Sequence, residues 1–166
     1  VLVTGGAGFI GSPFAEDAAR RGLKVTVLEN LSRGVLLGKR DPNRSFTWNA
    51  LKKVPGILRV RGDVTTREPI ETLAREADVI LHAAASTAVT TSVTEPALDF
   101  AANAIGTFRV LEAARKSRRR PVVIYCSTNK VFGDNVNEVP ILKGDRRYHF
   151  APSRGRGIPE TFPIDL

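Results

Sequence analysis

The run Thr4-Gly5-Gly6-Ala7-Gly8-Phe9-Ile10-Gly11 follows a short β-branched stretch and opens into a helical pattern. Within it, Gly6-Ala7-Gly8-Phe9-Ile10-Gly11 matches G-x-G-x-x-G, with Gly5 in addition. Glycines there allow a tight turn and let the main chain approach a pyrophosphate. The helix N-terminus behind them offers unpaired N–H groups and the positive end of a dipole, so the chemistry is dinucleotide binding. A glycine turn kept only for packing is the competing reading. Glu29 closes the next strand-like run, 18 residues after Gly11. A carboxylate there can accept both ribose hydroxyls of an adenosine and repel a 2′-phosphate, which favours NAD over NADP. Arg33 pulls the other way, because an arginine accommodates that phosphate; for Glu29 itself the alternative is an exposed surface acid. Asp63, after Gly62, is placed either to accept the adenine amino group or to stabilise a turn.

Such residues need a frame that brings strand ends and helix starts together. Residues 1–4 are a short β-branched run, and residues 12–21 have helical character that stops at Gly22. A second strand, Lys24-Val25-Thr26-Val27-Leu28, leads to Glu29, and a third covers 57–61. A fourth, within 78–82, runs into three alanines, and a fifth, Val122-Val123-Ile124-Tyr125, lies within 121–126. Helices are predicted over 68–77 and 96–116. The longer one carries Leu98, Ala101, Ile105, Phe108, Leu111 and Ala114 at spacings of three or four, which makes one apolar stripe. Residues 30–55 contain Gly34, Gly38, Pro42 and Pro55 and read as irregular; little regular structure is predicted after Gly133. The strands are continuous apolar runs alternating with helices, as when both faces of a parallel sheet are covered. The fold class is therefore α/β, a doubly wound Rossmann-type parallel sheet in three α/β/α layers.

The chain has 166 residues, 42% of them hydrophobic and 25% charged, which suits one soluble globular domain. No apolar run approaches the roughly 20 residues of a membrane span, and no signal peptide is visible. The first residues already read as a strand, so at least a residue or two is expected before Val1. The single cysteine, Cys126, excludes an internal disulfide and leaves no ligand set for zinc. A cytoplasmic location is the expectation, with Cys126 as a buried structural thiol rather than a reactive one. The net charge of +8 is spread over short groups: Arg20-Arg21, Lys39-Arg40, Lys52-Lys53, residues 115–120, Arg146-Arg147, and Arg154 with Arg156. These read as solvated helix ends and loops, or as attraction for an anionic nucleotide. No aromatic-basic interleaving supports nucleic-acid binding.

Several local signatures now converge. They are Thr4-Gly5-Gly6-Ala7-Gly8-Phe9-Ile10-Gly11-Ser12, Asn30-Leu31-Ser32-Arg33, Gly62-Asp63-Val64, His82-Ala83-Ala84-Ala85, Asn103-Ala104-Ile105-Gly106-Thr107 and Ser127-Thr128-Asn129-Lys130-Val131-Phe132-Gly133-Asp134. In type and order they resemble the extended short-chain dehydrogenase/reductase superfamily, the nucleotide-sugar epimerases and dehydratases. Within it, the signature from Ser127, together with Thr90-Thr91-Ser92 and the late Gly157-Ile158-Pro159-Glu160-Thr161-Phe162-Pro163-Ile164-Asp165, is most similar to the CDP-paratose 2-epimerases, also called CDP-tyvelose epimerases.

The resemblance implies roles at the matching positions. Gly5, Gly8, Phe9, Ile10 and Gly11 would hold the pyrophosphate. Glu29, Asn30, Ser32 and Arg33 would face the adenosine ribose and its surroundings, and Asp63 and Val64 would bracket the adenine. Ala83, Ala84 and Ala85 would line the cofactor, where small side chains let it lie close, with Cys126 also on the cofactor side. Asn103 would sit on the long helix facing the fifth strand, as a structural or proton-relay amide. Thr128 matches the hydroxyl of the family's Ser/Thr–Tyr–Lys catalytic set, and Ser127, Asn129 and Thr90 would lie by the substrate sugar. Such a hydroxyl orients the substrate oxygen and stabilises its developing charge, beside a tyrosine base whose pKa a lysine lowers. The implied activity is NAD-dependent epimerisation of a nucleotide sugar. Hydride would leave C2 for NAD, giving a transient ketone, and would return to the opposite face. The implied partners are a nucleoside-diphosphate sugar and, in the full-length form, further copies of the chain; no metal, nucleic acid or membrane is implied.

The sequence departs from the family at its base. Tyr125 is followed four residues on by Asn129, and Tyr148 by Pro152, so neither forms the Tyr-x-x-x-Lys motif. The expectation is a truncated chain: an NAD-binding Rossmann domain over 1–133 and an irregular segment over 134–166 leading to a missing Tyr-x-x-x-Lys helix and substrate region. Pro13 stands where the family has a polar residue, at a position a first helical turn tolerates. Residues 34–55 fit the family poorly. The alternatives are a non-catalytic dinucleotide-binding module, a scaffold that uses the fold for interaction, and a dehydratase or 4-epimerase.

Overall fold

Five strands, β1 (Leu2–Thr4), β2 (Val25–Glu29), β3 (Ile57–Arg61), β4 (Val79–His82) and β5 (Val122–Tyr125), lie parallel in the order β3-β2-β1-β4-β5. The computed structural model describes residues 1–36, 45–87, 89–151 and 157–164. Lys39, Arg40, Pro42, Arg154 and Arg156, singled out in the sequence, lie outside the described residues.

Successive side chains of a strand point to opposite faces, and the sequence fills both. Leu2, Leu28 and Ile80 pack with Ile70, Ala74, Val110 and Ala113 on one face. Val3, Val25, Val27 and Leu81 pack with Ala15, Ala18, Trp48 and Leu51 on the other. Helices α1 (Gly11–Arg20) and α3 (Phe46–Leu51) supply the second set, and α4 (Ile70–Arg75) and α7 (Gly106–Lys116) supply the first. This is the three-layer, doubly wound sheet that the strand pattern predicts. The chain winds outward from β1 to β3, then returns to place β4 on the other side of β1. At such a reversal, neighbouring connections leave on opposite faces, and a crevice opens at the C-terminal ends of the strands. Thr4 and His82 are the last residues of the two strands that flank it, and they are register partners.

Several sequence expectations are corrected. Residues 30–55 are not wholly irregular: α2 (Ser32–Leu36) and α3 form within them. The Ser45 hydroxyl caps α3 by accepting from Trp48 N at 3.4 Å, and the Arg59 guanidinium lies 4.6 Å from the centre of the Trp48 ring. Helices this short give no period to read. The helix predicted over 96–116 is instead α6 (Pro96–Phe100), a π turn at Ala101–Ile105, and α7. Most of its apolar stripe does not face the core: Leu98, Ile105, Phe108 and Leu111 are exposed, and of its six residues only Ala114 is buried. The buried face is Gly106, Val110, Ala113 and Ala114. A Cβ on Gly106 would come within 2.7 Å of Val64 Cγ2, so small residues set how closely the helix lies on the core. Finally, β5 is not covered on both faces. It ends the sheet, and Val122, Ile124 and Tyr125 are exposed.

The described chain divides into two units, Val1–Cys126 and Ser127–Leu166. The second contains 3-10 turns at Asn129–Phe132 and Asn135–Glu138 and an antiparallel hairpin of β6 (Ile141–Lys143) and β7 (Tyr148–Phe150). Its Phe162 and Val139 are buried, and Phe162 lies edge-on to Phe132. The hairpin corrects the expectation of little regular structure after Gly133; its strands of three residues are too short for alternation to show. On the first unit several basic groups are paired at helix ends. Arg20 and Arg21 meet Glu16 and Asp17, and Arg115 and Lys116 meet Glu112. Among the described residues no helix is long and apolar enough to cross a membrane.

Candidate functional site

The glycine loop leaves the end of β1 and turns back over the sheet. Gly5 N and Gly6 N both donate to Leu28 O, and Gly8 N donates to Gly5 O at 3.0 Å. Gly5 has φ +66°, and a Cβ there would meet Ala84 N at 2.6 Å. Gly11 starts α1 so close to the turn that a Cβ would lie 2.4 Å from Gly5 O. A Cβ on Gly6 would come within 2.3 Å of Val27 Cγ1, so the glycines that the geometry requires are Gly5, Gly6 and Gly11, the last two in the G-x-G-x-x-G register that starts at Gly6. At Gly8, by contrast, Gly5 O at 3.0 Å is the one neighbour among the described residues within 4 Å of an added Cβ. The inner side of the loop is open there. No side chain caps α1 at Ile10, and Phe9 and Ile10 are exposed. Pro13 falls in the first turn of this helix. An open, uncapped helix start is what a pyrophosphate needs, so the residues present fit a dinucleotide.

Glu29 is half-buried beside this loop. Its carboxylate accepts from Ala7 N at 3.2 Å and from Leu31 N at 2.9 Å. One acid thus ties the glycine loop to the turn after β2, where buried Leu31 takes φ +61°. Asn30 Nδ2 donates to Asp63 Oδ2 at 2.8 Å, and Asn30 Oδ1 accepts from Ser32 N at 2.9 Å. Asp63 Oδ1 also accepts from Thr65 N at 2.8 Å. Burial alone would raise the Asp63 pKa, but the hydrogen bonds from Asn30 and Thr65 outweigh it and hold it below the ordinary value. Glu29, Asn30 and Asp63 are therefore gathered at the ends of β2 and β3. Val64 is different: its side chain is buried in the core, so only its main chain is left to face a ligand. Ser32 and Arg33 are exposed on α2, and Arg33 Nη1 donates to Thr87 Oγ1 at 3.1 Å, linking the segments that follow β2 and β4.

The wall opposite is residues 83–87. Ala83 N donates to Thr4 O at 3.2 Å and Ala84 N to Thr4 Oγ1 at 3.4 Å, while Ala85 is exposed. Asn103, in the π turn, clasps this wall rather than reaching toward β5. Its Oδ1 accepts from Ser86 N at 2.9 Å, and its Nδ2 donates to Ser86 O at 3.0 Å and to Asp99 Oδ2 at 3.2 Å. Cys126, half-buried, packs with the Val3 and Leu81 cluster, and its N–H donates to His82 O. Thr90 is exposed on α5 (Val89–Thr94). Ser127, Thr128 and Asn129 belong to the second unit. There Thr128 Oγ1 accepts from Lys130 N at 3.2 Å and caps the turn that follows, and the side chain of Asn129 lies outside the described residues. Among the described residues no cluster of His, Cys, Asp and Glu could hold a metal ion.

Thr4, His82 and Thr107 each stand in one of the sequence signatures, but type and spacing give them no role. Yet His82 is buried at the end of β4 with both ring nitrogens engaged, Nδ1 with Thr4 Oγ1 at 2.7 Å and Nε2 with Thr107 Oγ1 at 3.0 Å. Burial lowers its pKa below the ordinary histidine value. The available signal was a histidine closing an otherwise apolar strand.

The NAD dependent epimerase/dehydratase family matches residues 1–155. The chain is 35% identical over 136 residues to CDP-paratose 2-epimerase of Salmonella typhi, covering 81% of this chain and 38% of that protein. It is 37% identical over 137 residues to dTDP-glucose 4,6-dehydratase of Mycobacterium tuberculosis, with the same coverages of 81% and 38%. Among solved structures, UDP-glucose 4-epimerase of Thermus thermophilus, in complex with NAD, is similar with a TM-score of 0.54 at 40% identity, over 69% of this chain and 33% of that one. Epimerase Mth375 of Methanothermobacter thermautotrophicus gives a TM-score of 0.63 at 33% identity, over 77% and 34%. The chain thus spans 38% of the length of these two curated relatives.

Proposed function

This chain belongs to the NAD dependent epimerase/dehydratase family, and we propose that its first unit takes up NAD in the crevice between β1 and β4. The observation that carries the proposal is the open side of Gly8, set between the uncapped start of α1 and the carboxylate of Glu29. The N-terminus of α1 would hold the pyrophosphate, with Phe9 and Ile10 over it. Glu29 would accept the ribose hydroxyls on the lone pairs that Ala7 N and Leu31 N leave free, and its charge would repel a 2′-phosphate. Asp63 would accept the adenine amino group, and Asn30 would keep that carboxylate aimed. Ala83, Ala84 and Ala85 would offer a wall without bulk. NAD bound there supplies a reversible hydride acceptor for a sugar carbon.

For the full-length protein we infer a nucleotide-sugar epimerase of the CDP-paratose 2-epimerase kind. The similarity to the Salmonella typhi enzyme supports this reading. Thr128, whose hydroxyl oxygen accepts from Lys130 N, is assigned as the hydroxyl that orients the substrate oxygen. Ser127, Asn129 and Thr90 are assigned to the sugar. The comparable identity to a dTDP-glucose 4,6-dehydratase favours a second reading, a dehydratase built on the same cofactor site. No Tyr-x-x-x-Lys occurs in these 166 residues, so the chain alone binds the cofactor without turnover. The exposed row of Leu98, Phe108 and Leu111 supports assembly with further copies in the full-length form.

Calorimetric titration with NAD and NADP, beside turnover assays with CDP-paratose, dTDP-glucose and UDP-glucose, tests these assignments. Saturable NAD binding, weaker NADP binding and no turnover are expected. Absence of NAD binding would overturn the cofactor assignment, and turnover by the chain alone would overturn the division between binding and catalysis.

A further inference from the structure

We infer that His82 is a positioning residue: bonded to Thr4 and Thr107, it holds the Ala83–Ala84 wall at a fixed distance from the glycine loop. The proposal deepens the NAD reading above, because that distance is the width of the crevice assigned to the dinucleotide.

The direction of every hydrogen bond in the chain of contacts is fixed by its ends. Thr107 Oγ1 donates to Asn103 O at 2.6 Å, so toward His82 it can only accept. His82 Nε2 therefore carries the ring proton, and Nδ1 is the acceptor of the Thr4 hydroxyl. Thr4 Oγ1 in turn accepts from Ala84 N at 3.4 Å. The sequence of donors runs from Ala84 N–H to Thr4, from Thr4 to His82, from His82 to Thr107, and from Thr107 to the carbonyl of Asn103. A neutral imidazole satisfies it end to end, and burial favours that form.

The two ends of this chain grip the same wall. Ala84 is part of it, and Asn103 holds it again through Ser86 N and Ser86 O. Asn103 lies in the π turn, a local widening of the helix. The Thr107 hydroxyl draws that widened turn onto β4 by way of His82. The consequence reaches the loop because loop and wall touch. Ala83 C and Ala83 O would each lie 2.7 Å from a Cβ on Gly5, so a shift of the wall passes directly to the turn that precedes Gly8 and Gly11.

Thr107→Val keeps the side-chain shape and removes the link, leaving the His82 Nε2–H without its acceptor, while Thr107→Ser restores a hydroxyl. Amide hydrogen exchange of the chain without cofactor is the primary measurement. In Thr107→Val, Ala84 and residues 5–11 are expected to exchange about tenfold faster than in the wild type, with β2 unchanged, and Thr107→Ser is expected to match the wild type. His82→Phe, which removes both ring contacts, is expected to show the same pattern. Equal acceleration throughout the sheet, or none at the loop, would overturn the proposal in favour of a purely structural histidine. Titration with NAD forms the second arm, where Thr107→Val is expected to bind about tenfold more weakly under conditions in which it is fully folded. Wild-type affinity in that variant would also overturn it. Failure of the wild type itself to bind NAD would sink the cofactor assignment instead, and the exchange measurement would still decide the role of His82.

Discussion

Glu29 does two things at once, and they separate by substitution. Its carboxylate orders the loop through Ala7 N and the turn through Leu31 N, and on the proposed reading it also binds ribose. Glu29→Ala removes all of these contacts, and NAD binding is expected to weaken about tenfold to a hundredfold, with NADP losing less, as read by calorimetry. Gly5 tests the loop from the other side. Gly5→Ala forces a Cβ into a left-handed residue and against the main chain of Ala84. Destabilisation of at least about 2 kcal/mol is expected in urea denaturation. How much of the site could be read in advance follows the same division. Glycines and acids at strand ends stand out by type and spacing, so the turn of the loop and the places of Glu29 and Asp63 at the ends of β2 and β3 were legible. The partners of Asn103, by contrast, are main-chain atoms of Ser86, 17 residues away in sequence, and no local pattern encodes them. The His82 contacts cross between β1, β4 and α7, with Thr4 and His82 78 residues apart, so only the assembled sheet brings them together.

At the scale of elements, the sheet was legible because its strands are apolar runs flanked by turn residues, and Ile57–Arg61 was placed to the residue. Helix orientation was not. A period of three or four over Leu98, Ile105, Phe108 and Leu111 identifies a two-faced helix, but a hydrophobicity count gives little weight to Gly106 and Ala113. Packing reverses that weighting, because a small residue lets the α7 backbone approach Val64 and β4 where a leucine would hold it off. Opposite mutations distinguish the two faces. Gly106→Val would overfill a site in which even a Cβ comes within 2.7 Å of Val64, and a loss of about 1–3 kcal/mol is expected. Phe108→Gln on the exposed side is expected to change stability by no more than about 0.5 kcal/mol. Equilibrium denaturation of the two variants in one buffer decides it; the reverse ranking would mean that the predicted stripe, and not the small residues, faces the core.

For the molecule as a whole, two groups near the strand ends, buried His82 and half-buried Asp63, are expected to make the folded state sensitive to acid. His82 is held neutral by burial, so its folded pKa lies below 6.5 while the unfolded chain titrates at about that value. Between the two pKa values the unfolded chain binds more protons, and stability therefore falls as pH drops below about 6.5. Asp63 is held ionised by Asn30 and Thr65 against the opposing effect of burial, so its folded pKa lies below 3.8. Its contribution is complete above that pH and is lost as pH falls through the folded value. The two effects have the same sign and set in at different pH, so the urea midpoint is expected to start declining below about pH 6.5, with the Asp63 contribution lost in addition below about pH 4. Substitution assigns the steps: His82→Phe is expected to flatten the first and leave the second, while Asp63→Asn does the reverse. Because both groups sit where β1, β3 and β4 end, the site should loosen together with the fold. NAD binding measured at pH 5.5 is then expected to be weaker than at pH 7.5 in the wild type, with the difference reduced in His82→Phe. An undiminished difference in that variant would place the acid sensitivity on a group other than His82.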